Sequence, residues 1–131
     1  MIGLDTNILV RYFVSDDPAQ FRQAQEFIRR SVNRGIRLHV DDVVLCELVW
    51  VLRSSYKLSR GIIVTIAEDI LHNNQFEFDD IQLLGEALDD YIDGSADFAD
   101  YVIGRRYERA GCEVTATFDR ALRDDLRFRV L

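Results

Sequence analysis

Apolar and polar positions along this chain follow two rhythms, short alternating or apolar runs and longer helical stripes. Residues 2–4 ("IGL") form a very short apolar segment, consistent with a buried strand. "TNILVRYFV" then spaces Ile8, Leu9, Tyr12 and Phe13 on one side of a helix. "SDDPAQFRQAQEFIRRSVNRG" carries helix punctuation, with Asp17 to cap, Pro18 for the first turn and Gly35 for the far end. "IRLHV" at 36–40 alternates and predicts a strand. Asp41 or Asp42 caps a strongly apolar helix running to about Ser55, and Ser59 opens another through "LSRGIIVTIAEDILHN". "FEF" at 76–78 predicts a short strand, after which Asp79 or Asp80 opens the helix "IQLLGEALDDYI". Gly94 and Ser95 break that helix, and "ADFADYVIGRRYERAG" forms the next, closed by Gly111. "EVTATF" at 113–118 predicts a strand, "DRALRDD" a helical turn, and "FRVL" at 128–131 a last strand.

Short strands separated by long helical segments predict an α/β domain with a mostly parallel sheet. Sites in such folds lie beyond the carboxyl ends of the strands. Asp5 and Asp119 each follow a predicted strand, so both stand where a site belongs.

The 131 residues suit one domain, 1–131, and an apolar content of 48% supports a real core. A formal net charge of -7 counts against a broad basic nucleic-acid-binding face but leaves room for a local basic rim. Clustered carboxylates also imply a divalent cation that relieves their repulsion. Cys46 and Cys112 lie in apolar surroundings and read as small buried hydrophobes, which fits a reducing cytoplasm. Asp5 and Arg11 break the first apolar stretch, so no signal peptide is expected. The longest apolar run, "VVLCELVWVL", is too short to span a membrane and contains a glutamate.

Several acids invite both a structural and a chemical reading. Asp5 and Asp119 are natural helix caps. Asp97 and Asp100 fall one turn apart at a helix start, where Asp97 suits the cap and Asp100 the first turn, and Gly104 leaves room beside them. Glu47 lies within the apolar run, sharing a helix face with Val43, Val44, Trp50 and Val51. A buried carboxylate there is costly unless paired or bound to a metal, so Glu47 reads as a site residue. Thr117 points to the same side as Asp119 and can support its carboxylate or a metal-bound water. Oxygen ligands without a matching His/Cys set suit magnesium, with manganese as a substitute, rather than zinc. His39 and His72 show no ligand spacing and read as incidental.

Taken in order, "IGLDTNILVRYF", "VVLCELVWVLRSSYKLSR", "ADFADYVIGRRYERAGCE" and "VTATFDRAL" resemble the successive motifs of the PIN domain, a small metal-dependent ribonuclease fold. The resemblance spans essentially the whole chain and is closest to VapC-type toxins of toxin–antitoxin pairs. It implies a three-layer α/β domain, with a parallel sheet of about five short strands between helices. It maps the family's four acids onto Asp5, Glu47, Asp100 and Asp119, with Asp97 as a further ligand or a holder of water. Thr6 and Asn7 match polar positions after the first acid, and Thr117 matches a hydroxyl residue before the fourth. Tyr101 departs from the small residues usual after the third acid. The resemblance further implies an RNA substrate, products with a 5′-phosphate and a 3′-hydroxyl, homodimers and a cognate antitoxin.

On this reading Asp5 and Asp100 are the principal ligands, and Glu47 and Asp119 complete the pocket. Arg11, Arg53, Lys57 and Arg60 lie on or just beyond helices carrying site residues and are the RNA-binding candidates, followed by Arg105, Arg106 and Arg120. The alternatives are a non-catalytic PIN-like interaction module, a structure-specific DNA nuclease and a phospho-acceptor receiver-like domain. The last is weakened because Lys57 is the sole lysine.

Overall fold

Helix caps at the expected acids and hydroxyls set the element boundaries. The computed structural model describes residues 1–131. In chain order it contains β1 (Ile2–Gly3), α1 (Thr6–Phe13), α2 (Pro18–Asn33), β2 (Leu38–His39), α3 (Asp42–Ser54), α4 (Arg60–Leu71) and β3 (Phe76–Glu77). Then follow α5 (Ile81–Asp93), α6 (Phe98–Arg109), β4 (Thr115–Thr117), a 3₁₀ turn (Arg120–Leu122) and β5 (Phe128–Val130). Asp17, Asp41, Ser59 and Asp80 each accept a backbone N–H from the first turn of the helix they open. Gly35 (φ 71°) and Gly111 (φ 92°) take the left-handed backbone that follows α2 and α6. The fold is α/β, and all strand pairing is parallel, in one ladder of three strands and one of two.

The chain divides into two units, Met1–Asp79 and Asp80–Leu131. In the first, β1, β2 and β3 pair in sequence order, with Ile2 opposite Leu38 opposite Phe76. Parallel neighbours need crossovers, which α1 with α2 and α3 with α4 supply. One sheet face carries the buried Leu4, Leu38, Val40 and Phe76. The alternate positions, Gly3, His39 and Glu77, lie on the opposite, more exposed face. Leu9, Ile28, Leu45, Leu48, Leu52, Ile63 and Ile70 complete this unit's core. Each contributes roughly 1.5–3 kcal/mol of burial.

In the second unit α5 packs on α6, with Tyr91 and Phe98 meeting edge to face at 6.0 Å. β4 pairs with β5, placing Thr115 opposite Phe128. Gly104 is buried beneath the Phe128 ring, and a Cβ there would stand 2.6 Å from Phe128 Cζ. The room at Gly104 therefore serves core packing, not the neighbouring acids. Arg105 grips Asp90 with two hydrogen bonds, 2.7 and 2.8 Å, and Arg127 reaches the same carboxylate at 3.2 Å. The Asp90 side chain is only 12% exposed, so Arg105→Ala is expected to cost about 1.5–3 kcal/mol, measured as a lowered melting temperature. Arg105→Lys should restore only part of it, because an ammonium cannot reproduce the fork.

Two expectations need correction. Cys112 is exposed and Cys46 only half-buried, so they are not a pair of core residues, and neither forms a disulfide. On α3, Leu45, Leu48, Val49 and Leu52 face inward, while Val43 (67% exposed), Glu47 and Trp50 (61% exposed) face outward. The helix is apolar nearly all round, so periodicity alone cannot say which side is buried.

Candidate active site

Asp5 holds the N-cap position of α1 with extended backbone, φ -80° and ψ 159°, yet its side chain makes no cap hydrogen bond. The caps at Asp17, Asp41 and Asp80 do make one. The exposed Asp5 carboxylate, at the carboxyl end of β1, is thus not consumed by the helix it begins. Thr6 is buried at the first helical position, and Asn7 is exposed beside it. Glu47 is exposed on α3, so the cost of burying it gives no argument for a site role.

Asp97 and Asp100 form a capping box at the start of α6, in which Asp100 Oδ2 accepts the Asp97 backbone N–H at 3.2 Å. Asp100 is half-buried, and burial followed by the nearby Asp119 charge pushes its carboxyl above the ordinary carboxylate value. Asp119 opens the 3₁₀ turn, its Oδ1 accepting the Ala121 N–H at 2.9 Å. Its own N–H donates to Thr117 Oγ1 at 3.0 Å. Thr117 thus holds the backbone that presents Asp119, rather than the carboxylate itself.

The predicted acids divide between the units, Asp5 and Glu47 in the first and Asp97, Asp100 and Asp119 in the second. Within the second, Asp100 stands against two other aspartates, one sharing its capping box and one raising its pKa. An all-oxygen donor set of like charges, partly desolvated, suits a hard divalent cation.

Of the predicted RNA-binding cations, Arg11 is tied to Gln20 Oε1 (2.6 Å), Asp16 Oδ1 (3.0 Å) and the Tyr56 hydroxyl (3.1 Å). Arg53 is exposed in the last turn of α3, and Arg60 begins α4. Lys57 is exposed between them with φ 53°. Arg105 is committed to Asp90, while Arg106 and Arg120 are exposed.

Sequence reading set His39 aside, but the fold places it with Asp41 and Asp79, one ligand atom of each lying within 4.8 Å of the others. Residues 39 and 79 meet only through the parallel register of β2 and β3, so no local spacing reveals them. The available signal is Asp41 following the predicted strand 36–40 two residues after His39, a spacing that puts both on one side if the strand runs on.

The PIN domain family model matches residues 2–124, across both units, and the chain belongs to that family. It is also similar to the VapC ribonuclease of Aquifex aeolicus (strain VF5), 26% identical over 117 residues, which cover 89% of this chain and 86% of that one. Membership sets aside the receiver-like alternative. No helix is long and apolar enough to cross a membrane.

Proposed function

We propose that this chain is a magnesium-dependent endoribonuclease, the toxin of a type II toxin–antitoxin pair, and that residues 1–131 act as one PIN domain. The observation that carries the reading is Asp100, a half-buried carboxylate held beside Asp119 with its pKa raised. Two such acids set near each other gain from a divalent cation that relieves their repulsion. Asp5, left unused by its own helix cap, and Glu47, exposed on α3, are the other two acids of the proposed centre. Asp97 supports Asp100 through the capping box and stands close enough to join it.

Magnesium, or manganese in its place, would supply a lowered pKa for attacking water and a counter-charge for the phosphate. The chain's own residues do the rest. Asp5 and Asp100 present ligand oxygens, and Glu47 and Asp119 orient water and accept its proton. Thr117 fixes the Asp119 backbone, and Thr6 and Asn7 position the turn after Asp5. Arg53, Lys57 and Arg60 hold RNA phosphates. Arg11 contributes to that rim only by giving up its contacts with Asp16, Gln20 and Tyr56. The protein acts in the cytoplasm as a homodimer restrained by a cognate antitoxin.

Single-turnover cleavage of end-labelled RNA in magnesium tests the assignment. Glu47→Gln and Asp119→Asn should each slow cleavage by roughly a hundredfold or more, on the order of several kcal/mol of lost stabilisation. Both residues are exposed, so circular dichroism should show an unchanged fold. Cleavage at the unsubstituted rate would remove either residue from the site. Co-expression with the neighbouring reading frame should relieve growth arrest, and absence of any arrest would count against the toxin reading.

A further inference from the structure

We propose that His39, Asp41 and Asp79 form a binding site for a divalent transition metal of the zinc type, built from none of the four proposed catalytic acids. The site follows from strand register. β2 and β3 pair Leu38 with Phe76 and His39 with Glu77, and the Val40 N–H donates to Glu77 O at 2.9 Å, carrying the ladder past the assigned strands. Two residues on, the same register sets Asp41 opposite Asp79. Positions two apart in a strand share a face, so His39 and Asp41 on one strand and Asp79 on the next come to one side of the sheet. Gly3 occupies the same row on β1, opposite His39, and offers no side chain to cover the imidazole.

The distances suit a bridging ion. His39 Nε2 stands 3.7 Å from Asp79 Oδ1, longer than a hydrogen bond. Tetrahedral metal bonds of ~2.0–2.2 Å place neighbouring ligands about 3.3–3.6 Å apart, so side-chain adjustment within the 4.8 Å group closes the set. Asp41 is already held, because its Oδ1 accepts the Val43 N–H at 2.8 Å and its other oxygen remains for a ligand bond. The cation on the same strand face, Arg37, pairs instead with Glu77 at 3.4 Å. His39 is half-buried, which limits the freedom its ring loses on binding. One imidazole nitrogen with two carboxylates selects Zn2+ over Mg2+, and three protein ligands leave a position open to water.

The chain has two histidines, so proton NMR of the imidazoles reads the site directly. Zinc chloride is added to the chelator-stripped full chain. With one equivalent, the His39 signals should shift and those of His72 should not. His39→Gln and Asp79→Asn should each weaken zinc binding by about tenfold or more. Asp79 is 72% exposed in its side chain, so that variant keeps its fold. In the double variant Asp5→Asn with Asp119→Asn, one equivalent of zinc should still shift the His39 signals. A stationary His39, a response at His72 alone, or unchanged affinity in His39→Gln would overturn the proposal. So would loss of the His39 shift in the Asp5→Asn, Asp119→Asn variant. Because the readout is zinc at an imidazole, its failure leaves RNA cleavage untouched, and failure of cleavage leaves this site standing.

Discussion

Asp100→Asn is expected to slow RNA cleavage severely and, at neutral pH, to raise the melting temperature. The two effects share one cause. Burial and then Asp119 raise the Asp100 pKa in the folded chain, so its charged form is disfavoured there relative to the unfolded chain. The sign follows from linkage: protonated Asp100 favours folding fully below its unfolded pKa, and that contribution is lost as pH rises through the raised folded value. At neutral pH the carboxylate is therefore a burden on stability. An amide removes the charge and keeps an oxygen to accept the Asp97 N–H, the 3.2 Å bond of the capping box. Cleavage should fall by on the order of 10²–10³-fold, the loss expected if Asp100 is the proposed ligand and supplies several kcal/mol. Thermal melts from pH 3 to pH 8 check the rest. The gain should be present at pH 7 and shrink as pH falls below the carboxylate range. Magnesium should raise the melting temperature of the unsubstituted protein and narrow the gap. A lower melting temperature for Asp100→Asn at pH 7 would mean that Asp100 serves the fold.

Gly104→Ala is expected to destabilise the second unit, against the helix propensity of alanine. In an exposed helix the change would stabilise by roughly 1 kcal/mol through backbone propensity. Here the added Cβ would meet Phe128 at 2.6 and 2.8 Å, and the ring is anchored by its strand and largely buried. Overpacking of this kind costs about 1–3 kcal/mol, and the clash should outweigh the propensity gain. Denaturant melts of Gly104→Ala, Phe128→Leu and the double variant separate the terms. The double variant should be less destabilised than the two single costs added together, because the smaller side chain releases the contact. Additive costs would show that Phe128 yields to the methyl group without strain.

Much of the fold is legible because its punctuation is chemical. Asp17, Ser59 and Asp80 cap helices as their residue types dictate, and Gly94 and Gly111 stand at the breaks expected of them. The strands are shorter than their apolar runs suggest, since "EVTATF" contributes only Thr115–Thr117 to a ladder. Helix α3 misleads because apolar residues surround it. Leu45 and Leu48 face the core, while Val43, Glu47 and Trp50 do not, and nothing in the helical period distinguishes those sides. Glu47 remains in the proposed site through its place in the family motif, no longer through the cost of burial. Asp5 moves the other way: its sequence leaves cap and ligand equally open, and the geometry leaves its carboxylate unused by the cap. The grouping of His39 with Asp79 depends on pairing between strands nearly forty residues apart, which no local pattern encodes.

The central claim is that this chain cuts RNA through carboxylates that need a divalent cation. Its most direct test is cleavage of RNA by the purified chain alone, in magnesium and in excess chelator, with the new ends mapped. The account predicts internal cuts bearing 5′-phosphate and 3′-hydroxyl ends, lost in chelator and restored by magnesium or manganese. Cleavage that persists in chelator, or ends bearing a 2′,3′-cyclic phosphate, would contradict it.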